Sequence, residues 1–274
     1  ADFTFYGGIY RDVSLLVVNK NHIALGHFGD TGVKITPALQ ENSADIRVET
    51  LVEGSGAVTV ELLDAEGRTV AKGEGENASL HLDAPHLWNG VKDPYLYTCV
   101  VRLLQAGQPV DEVTTRVGLR SFFVDAKKGF FLNGRPYPLH GVSRHQDRKG
   151  LGNAVTREMH DEDMALIREL GANTVRLAHY QHDQYFYDLC DRNGLIVWAE
   201  IPYITMHMHN GRANTLTQME ELIVQNYNHP CIAVWGLSNE ITAASPVNEE
   251  LLENHRALND LAHKLDPTRL TTMA

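Results

Sequence analysis

From residue 130 onwards, short apolar runs alternate with longer amphipathic stretches, and this alternation restricts the possible folds more than any other feature. The apolar runs are YPLHGVSRH, NTVRLAHY, LIVWAEIP, CIAVWGLSNEI and the start of RLTTMA. They are apolar on both faces, which is typical of strands buried between two layers of a parallel sheet. The pattern predicts a β–α–β–α fold, either a doubly wound sheet or an eight-fold barrel.

The stretches between these strands have the apolar spacing and terminal residues of helices. One helix is predicted between Thr156, as its cap, and Gly171, and another is predicted to stop before Asn228–Pro230. For the last helix, Ser245 is the predicted cap and Pro246 lies in the predicted first turn. No GxGxxG motif follows the first strand, so a dinucleotide-binding fold has no support.

The first 123 residues have an all-β pattern. DIRVETLVEG alternates apolar and polar residues, and AVTVELLDAEGRTVAKGEG reads as two strands joined by a turn at Asp64–Gly67. A second hairpin is predicted around Gly107–Pro109. Short strands with turns at this spacing predict an antiparallel, immunoglobulin-like β-sandwich of about 100 residues.

Composition restricts the partners. The 274 residues carry a formal net charge of −11, which disfavours nucleic acid and anionic membranes as partners. The three cysteines, Cys99, Cys190 and Cys231, are far apart and odd in number, so buried free thiols are expected. No apolar run approaches the roughly 20 residues of a membrane span. The start, ADFTFYGG, does not have the pattern of a signal peptide, and a cytoplasmic location is expected.

Polar side chains follow four consecutive predicted strands at the point where each strand ends. They are His145 after the first strand, Arg176 and His179 near the end of the second, Glu200 at the third, and Asn239 and Glu240 after the fourth. In a barrel, these ends meet at one mouth, where the chemistry takes place. The pattern therefore predicts an active site, although an Asn–Glu pair after a strand is equally typical of a helix cap with a first-turn acid.

Four motifs resemble those of the family 2 glycoside hydrolases, and within that family the bacterial β-galactosidases. In chain order they are GVSRHQD, GANTVRLAHYQ, YDLCDRNGLIVWAEIP and NHPCIAVWGLSNE. The segment GGIYRDVSL at residues 7–15 resembles the last strand of the family's sugar-binding jelly roll. The resemblance implies that residues 1–20 hold that last strand, residues 21–123 an immunoglobulin-like sandwich, and residues 124–274 the first half of a (β/α)8 TIM barrel.

The resemblance implies a retaining β-glycosidase with a carbohydrate substrate, most simply a β-galactosidase acting on terminal non-reducing β-galactosides. A β-glucuronidase of the same family is the alternative, and homo-oligomerisation stays open. Glu240 matches the family's acid/base, and Asn239 matches the residue that holds the sugar 2-hydroxyl. Arg176 matches an arginine that orients the nucleophile. His145 and His179 match histidines that bind the sugar and stabilise its transition state.

Retention of configuration requires two carboxyl groups about 5–5.5 Å apart, one acting as the acid and one as the nucleophile. The acid must stay protonated near neutral pH, which an apolar setting favours, and Glu240 follows an apolar strand. The family's nucleophile, a glutamate at the end of the seventh strand, has no counterpart among five predicted strands. The chain therefore resembles the middle of a longer enzyme and is expected to be inactive alone, with Glu200 as a hydrogen-bonding or orienting carboxylate.

The resemblance does not extend to the metal site of some relatives. In those proteins a glutamate and a histidine that follow the third strand hold a magnesium ion. Alignment on Glu200 places Ile204 and Met206 at these positions, so no cofactor is predicted.

Two readings from other classes remain open. In MHMHN, His207 and His209 could bind a metal together with His145 or His179, as in a metal-dependent barrel hydrolase. Alternatively, half a barrel leaves its first and fifth strands with unpaired edges. The chain would then be a non-catalytic fragment that packs against a partner.

Overall fold

The computed structural model describes residues 6–244 and 246–274. They form two units, one made of residues 15–138 and 224–230 and the other of residues 6–14, 139–223, 231–244 and 246–274. We call them the sandwich unit and the barrel unit.

The sandwich unit is built from antiparallel strands. Its strands are β1 (His22–Ile23), β2 (Val33–Leu39), β3 (Ser43–Thr50), β4 (Val52–Glu53), β5 (Ala57–Leu63), β6 (Thr69–Glu74), β7 (Asn77–Asp83), β8 (Tyr97–Gln105), β9 (Gln108–Val117), β10 (Phe122–Asp125), β11 (Gly129–Leu132) and β12 (Arg135–Pro136). The two main sheets have the orders β2-β3-β7 and β6-β5-β8-β9. This arrangement confirms the predicted sandwich and both predicted hairpins, β5–β6 and β8–β9.

Alternate residues of these strands form a common core. Ile46 and Val48 of β3 are fully buried, in one cluster with Val60 and Leu62 of β5. Burying an aliphatic side chain of this size contributes about 1.5–3 kcal/mol. The alternation visible in the sequence is therefore the pattern that holds the two sheets together.

The pattern of the sequence did not predict the small sheet β10-β11-β12, which crosses the expected boundary between residues 123 and 124. Its strands are only two to four residues long, too short for apolar alternation to stand out. Its second turn consists of Asn133 and Gly134, both with positive φ (50° and 74°), between the paired residues Leu132 and Arg135. An Asn-Gly dipeptide is the strongest short hairpin signal, so this turn was readable from the sequence.

Residues 6–20 contain no strand, so the jelly-roll strand predicted over residues 7–15 is not present in this structure. A strand needs a neighbour for its backbone N–H and C=O groups, and no described strand pairs with this segment. Ile9, Val13 and Leu15 accordingly remain 79–89% exposed. The first five residues of the predicted segment 1–20 lie outside the described residues.

The barrel unit contains a five-stranded parallel sheet with one helix in each of its four connections. Its strands are β13 (Gly141–Arg144), β14 (Thr174–Leu177), β15 (Ile196–Glu200), β16 (Ile232–Gly236) and β17 (Leu270–Thr272), and the helices of the connections are α1 (Arg157–Glu169), α2 (Gln184–Asn193), α3 (Arg212–Asn226) and α4 (Glu249–Leu265). The sheet order β13-β14-β15-β16-β17 follows the chain. Sequential parallel strands are typical of a TIM barrel, whereas a doubly wound sheet reverses its order.

Helix α4 begins later than predicted. Asn248 is the cap, because its extended backbone leaves the side chain free to accept from the N–H of Leu251 at 2.9 Å. The helix therefore starts at Glu249, and the placement of Pro246 in its first turn is wrong. Ser245, the predicted cap, lies outside the described residues. None of the helices in the described parts of the chain is long and apolar enough to span a bilayer.

The three cysteines are buried and free, as expected. Burial raises the pKa of the Cys99 thiol to about 12, and it also raises those of Cys190 and Cys231. Because the thiolate is the reactive form, these cysteines act as small apolar core residues.

A buried carboxylate, Asp266, joins the end of α4 to the sheet. Its Oδ2 accepts from Trp235 Nε1 at 2.9 Å and from Arg269 Nη1 at 2.7 Å, and its Oδ1 accepts from Thr268 Oγ1 at 2.6 Å. Burial by itself raises the pKa of Asp266, but the charge of Arg269 and the hydrogen bonds from Thr268 and Arg269 outweigh it and lower the pKa to about 2.

This pKa makes the fold sensitive to acid. Since the folded-state pKa is below the unfolded value, the carboxylate stabilises the fold above pH 4, and this contribution is lost as the pH falls from about 4 towards 2. The difference between the unfolded and folded pKa values corresponds to about 2 kcal/mol in the free energy of unfolding. Urea unfolding between pH 2 and pH 7 should show that Asp266→Asn is less stable at neutral pH and has a flatter pH dependence. The control is Asp260→Asn, exposed on the same helix, and a wild-type pH dependence in Asp266→Asn would contradict the expectation.

Candidate active site

The register of the sheet brings the ends of four strands to one edge. Arg144 of β13 lies beside Leu177 of β14, Leu177 beside Ala199 of β15, and Ala199 beside Trp235 of β16. Residues that follow these positions therefore leave the sheet at the same side. The predicted polar side chains all lie at or just beyond this edge.

Glu200, the last residue of β15, is at the centre of the group. It is only 1% exposed, and its Oε1 accepts from Arg176 Nε at 2.5 Å. Its Oε2 lies 2.8 Å from His179 Nδ1. A buried carboxylate needs such partners to compensate for lost hydration. The structure thus gives Glu200 the contacts of an orienting carboxylate.

Arg176 joins three strand ends. Besides Glu200, its Nη2 donates to Asn239 Oδ1 at 2.6 Å, and its guanidinium carbon lies 4.5 Å from the centre of the Trp198 ring. Such stacking of a cation on an aromatic face is attractive. Because Asn239 Oδ1 accepts from Arg176, the amide NH2 group is turned the other way and remains a donor for a ligand.

Gly236, at the end of β16, leaves the space that Glu200 occupies. A Cβ at Gly236 would lie 2.5 Å from Glu200 Cγ and 2.6 Å from Trp198 Nε1. Any larger residue would therefore displace the carboxylate. Sequence reasoning missed Gly236, although a glycine inside a strand is a signal of close approach.

Glu240 follows in a tight turn. Its φ is +46°, and the turn is held by bonds from its N–H to Ala274 O at 2.7 Å and from Ala243 N–H to its own carbonyl at 2.9 Å. Such a backbone conformation persists in a non-glycine residue only where its surroundings hold it. The side chain is exposed rather than enclosed by apolar residues, because the turn directs it away from the strand. In this position the carboxyl is accessible to a ligand.

The two histidines lie side by side. The rings of His145 and His179 are 5.1 Å apart between their centroids and cross at 78°. The structure therefore brings together the predicted residues Arg176, His179, Glu200 and Asn239 through hydrogen bonds, His145 through ring contact, and Glu240 as the neighbour of Asn239.

The histidines of MHMHN are placed differently. His207 Nδ1 lies 2.7 Å from the hydroxyl of Tyr203, and the exposed His209 lies 2.9 Å from Glu250 Oε1 at the start of α4. Within residues 6–244 and 246–274, neither belongs to a group of three side chains that could hold a metal ion. This arrangement does not favour the metal-dependent hydrolase.

The magnesium site of some relatives does not fit the residues present. Ile204 pairs with Asn239 through a backbone bridge, and Met206 is 44% exposed. Neither side chain offers the oxygen ligand that magnesium prefers.

A cavity of about 310 Å³ opens beside Glu200. Tyr6, Tyr10 and Tyr180 line it together with polar side chains such as Asn153. Aromatic faces with a few polar groups are typical of small-molecule sites. Tyr6 and Tyr10 were not singled out in the sequence, where they lie in the segment 1–20 that was expected to hold a jelly-roll strand.

Two family models match the chain. The model for the TIM barrel domain of the glycosyl hydrolases family 2 matches residues 124–274, more than half of the chain, and the model named Glycosyl hydrolases family 2 matches residues 27–120. The chain belongs to glycosyl hydrolase family 2. Most of the small sheet β10–β12 falls within the barrel-domain match, which begins inside β10, whereas its contacts place it in the sandwich unit.

Individual proteins of known name are also similar to this chain. The beta-glucuronidase of Bacteroides fragilis is 40% identical, over 100% of this chain and 42% of its own length. The beta-galactosidase of Thermoanaerobacter pseudethanolicus is 30% identical, over 98% of this chain and 36% of its own length. The crystal structure of the FMN-binding beta-glucuronidase from Facaelibacterium prausnitzii L2-6 gives a TM-score of 0.95 at 43% identity, covering 100% of this chain and 44% of that chain. The chain thus spans less than half the length of these relatives.

Proposed function

We propose that this chain supplies the acid/base side of a retaining β-glycosidase. The observation that carries the proposal is the network of Arg176, Glu200, His179 and Asn239, which lies at the strand ends next to Glu240. Every buried charge in it is compensated. Such a rigid arrangement is what a site needs to hold a sugar in one position.

Each side chain has a distinct role in this proposal. Glu240 protonates the oxygen of the leaving group, which its accessible position permits. Asn239, oriented by Arg176, donates from its NH2 group to the sugar 2-hydroxyl. His179 and His145 present ring nitrogens to other hydroxyls. The nucleophilic carboxylate comes from a strand beyond β17, since retention needs it on the opposite face of the sugar.

The relatives favour a β-glucuronide over the β-galactoside expected from the motifs. The curated relatives that are 40% and 38% identical and the solved structure at 43% identity are named beta-glucuronidases, whereas the curated beta-galactosidases are 30% and 34% identical. One solved structure from Bacteroides fragilis, 40% identical to this chain, is named a putative beta-galactosidase. The barrel motifs are shared by both kinds of enzyme and do not distinguish these sugars, which differ in the configuration at C4 and in the oxidation state of C6. A β-galactosidase remains the second candidate, supported by the relative from Thermoanaerobacter.

The test uses a form in which this chain is followed by the rest of an eight-stranded barrel, here called the complete-barrel form. Its kcat/KM is measured on nitrophenyl β-glucuronide and nitrophenyl β-galactoside. A site built to pair with a charged group rejects a substrate that lacks it, so we expect a preference of about 10²-fold or more for the glucuronide. The opposite preference would identify a galactosidase. Turnover of neither substrate would contradict the proposed function and favour a non-catalytic role.

The same assay applied to the 274-residue chain should show no turnover. The strand ends described above carry Glu240 and Glu200, and Glu200 is already committed to Arg176 and His179. An acid without an opposing nucleophile leaves most of the rate enhancement missing. Comparable activity of the short chain, abolished by Glu200→Gln, would mean that Glu200 is the nucleophile.

A further inference from the structure

Behind the candidate active site, the guanidinium of Arg144 is buried among three acceptors. Arg144 is the last residue of β13 and is 7% exposed. Its Nε and Nη2 donate to Asp163 Oδ2 at 2.9 and 2.7 Å. Its Nη1 lies 3.0 Å from His182 Nδ1, and its Nη2 lies 2.9 Å from His160 Nδ1.

The positions of the protons follow from this geometry. A guanidinium can only donate, so both His182 and His160 must accept at Nδ1 and carry their proton on Nε2. Burial, together with the charge of Arg144, lowers the pKa of His182 well below its usual value. The Nε2–H of His182 then donates to the carbonyl of Ala178 at 3.1 Å.

That carbonyl belongs to the residue before His179. The N–H of Ala178 donates to Arg144 O at 3.0 Å, so Ala178 is held on both sides by Arg144, directly through the backbone and indirectly through His182. Gln146 adds a second connection, because its side chain accepts from the N–H of Asp183 at 2.6 Å. The segment that carries His179 is thus attached to the segment that carries His145.

We propose that His182 is a positioning residue, whose Nε2–H, fixed in that tautomer by Arg144, holds the carbonyl of Ala178 and thereby sets the position of the His179 ring against Glu200. Its effect on catalysis rests on the proposed function. Its effect on His179 does not.

The structure offers a matched control. His160, on α1, is 1% exposed and accepts from the same guanidinium. Its ring lies beside those of Tyr185 and Phe186, with centroids 6.2 and 5.8 Å away. Asparagine at His160 keeps an acceptor for Arg144, as asparagine at His182 does, and loses only the ring contacts with Tyr185 and Phe186, so the bond between His182 and Ala178 stays intact.

The first measurement needs no variant. In the complete-barrel form, ¹⁵N-edited imidazole spectra should show His182 as the neutral tautomer protonated at Nε2. A proton on Nδ1, or a charged ring at neutral pH, would overturn the proposal. This measurement tests the connection even if the protein hydrolyses neither glycoside.

Two substitutions separate the two ends of the connection. In His182→Asn the amide oxygen can still accept from Arg144, but the side chain is too short for its NH2 group to donate to the carbonyl of Ala178. In His182→Gln the NH2 group can donate to that carbonyl, but the amide oxygen cannot also accept from Arg144. We expect His182→Asn to shift the imidazole signals of His179 and to lower kcat/KM by about 10- to 100-fold, mainly through kcat, because small displacements of positioned groups have effects of this size. His182→Gln should retain both properties.

The control is His160→Asn, which should lower the melting temperature but leave the His179 signals and kcat/KM unchanged. A purely structural role for His182 would make His182→Asn and His160→Asn equivalent, with stability affected and the His179 signals not. That result, or equal losses in His182→Asn and His182→Gln, would overturn the proposal.

Discussion

Replacing Glu240 with glutamine in the complete-barrel form is expected to slow hydrolysis by about 10²–10⁴-fold for substrates with poor leaving groups, the range typical of lost general acid catalysis. Alkyl glycosides need a proton on the departing oxygen, whereas nitrophenyl glycosides release nitrophenolate, which is stable as an anion. The loss should therefore be much larger for the alkyl substrates. The measurement is kcat/KM across a series of leaving groups.

Two additions make this experiment decisive. Glu253→Gln, at an exposed position on α4, is the matched control and should behave as the wild type. Added azide should restore turnover of nitrophenyl glycosides by Glu240→Gln, since it attacks the glycosyl-enzyme without needing a base. Equal slowing of aryl and alkyl substrates, with no restoration by azide, would exclude Glu240 as the acid/base.

The second large effect is expected on stability. Arg176→Met leaves the carboxylate of Glu200, which is 1% exposed, without its cationic partner. Removing one member of a buried ion pair typically costs about 3–5 kcal/mol, because the remaining charge is uncompensated. Since the Arg176 side chain is 21% exposed, we expect a loss near the lower end, about 3 kcal/mol, in urea unfolding.

A double-variant cycle tests the cause of this loss. Glu200→Gln removes the carboxylate charge, so the Arg176→Met/Glu200→Gln protein should be more stable than the sum of the single changes indicates. Arg192→Met, an exposed position on α2, should change stability by no more than about 0.5 kcal/mol. Additive losses in the double variant would mean that the pair does not contribute through its charges.

Much of the fold could be predicted because its signals are local. The alternation in β3 and the helix ends at Thr156 and Gly171 depend only on neighbouring residues, and the structure contains both features. The strand predicted over residues 7–15 depended instead on a sheet to pair with, which local sequence does not reveal. Pro246 was misplaced because a nearer residue, Asn248, provided the better cap.

The candidate site divides in the same way. His145, Glu200 and Asn239 could be placed from the positions at which strands end. The contacts among them could not, since they depend on how neighbouring strands align. Gly236 and His182 were missed for this reason, because each acts through residues distant in the sequence.

The central claim is that Glu240 is the acid/base of a retaining glycosidase, and a crystal structure of the complete-barrel form tests it most directly. The quantity to measure is the separation between the Glu240 carboxyl and the nearest carboxylate across the mouth of the barrel. The account predicts about 5–5.5 Å, the spacing of retaining enzymes. A separation of about 6.5–9.5 Å, which is typical of inverting enzymes, or a Glu240 side chain directed out of the mouth, would contradict it.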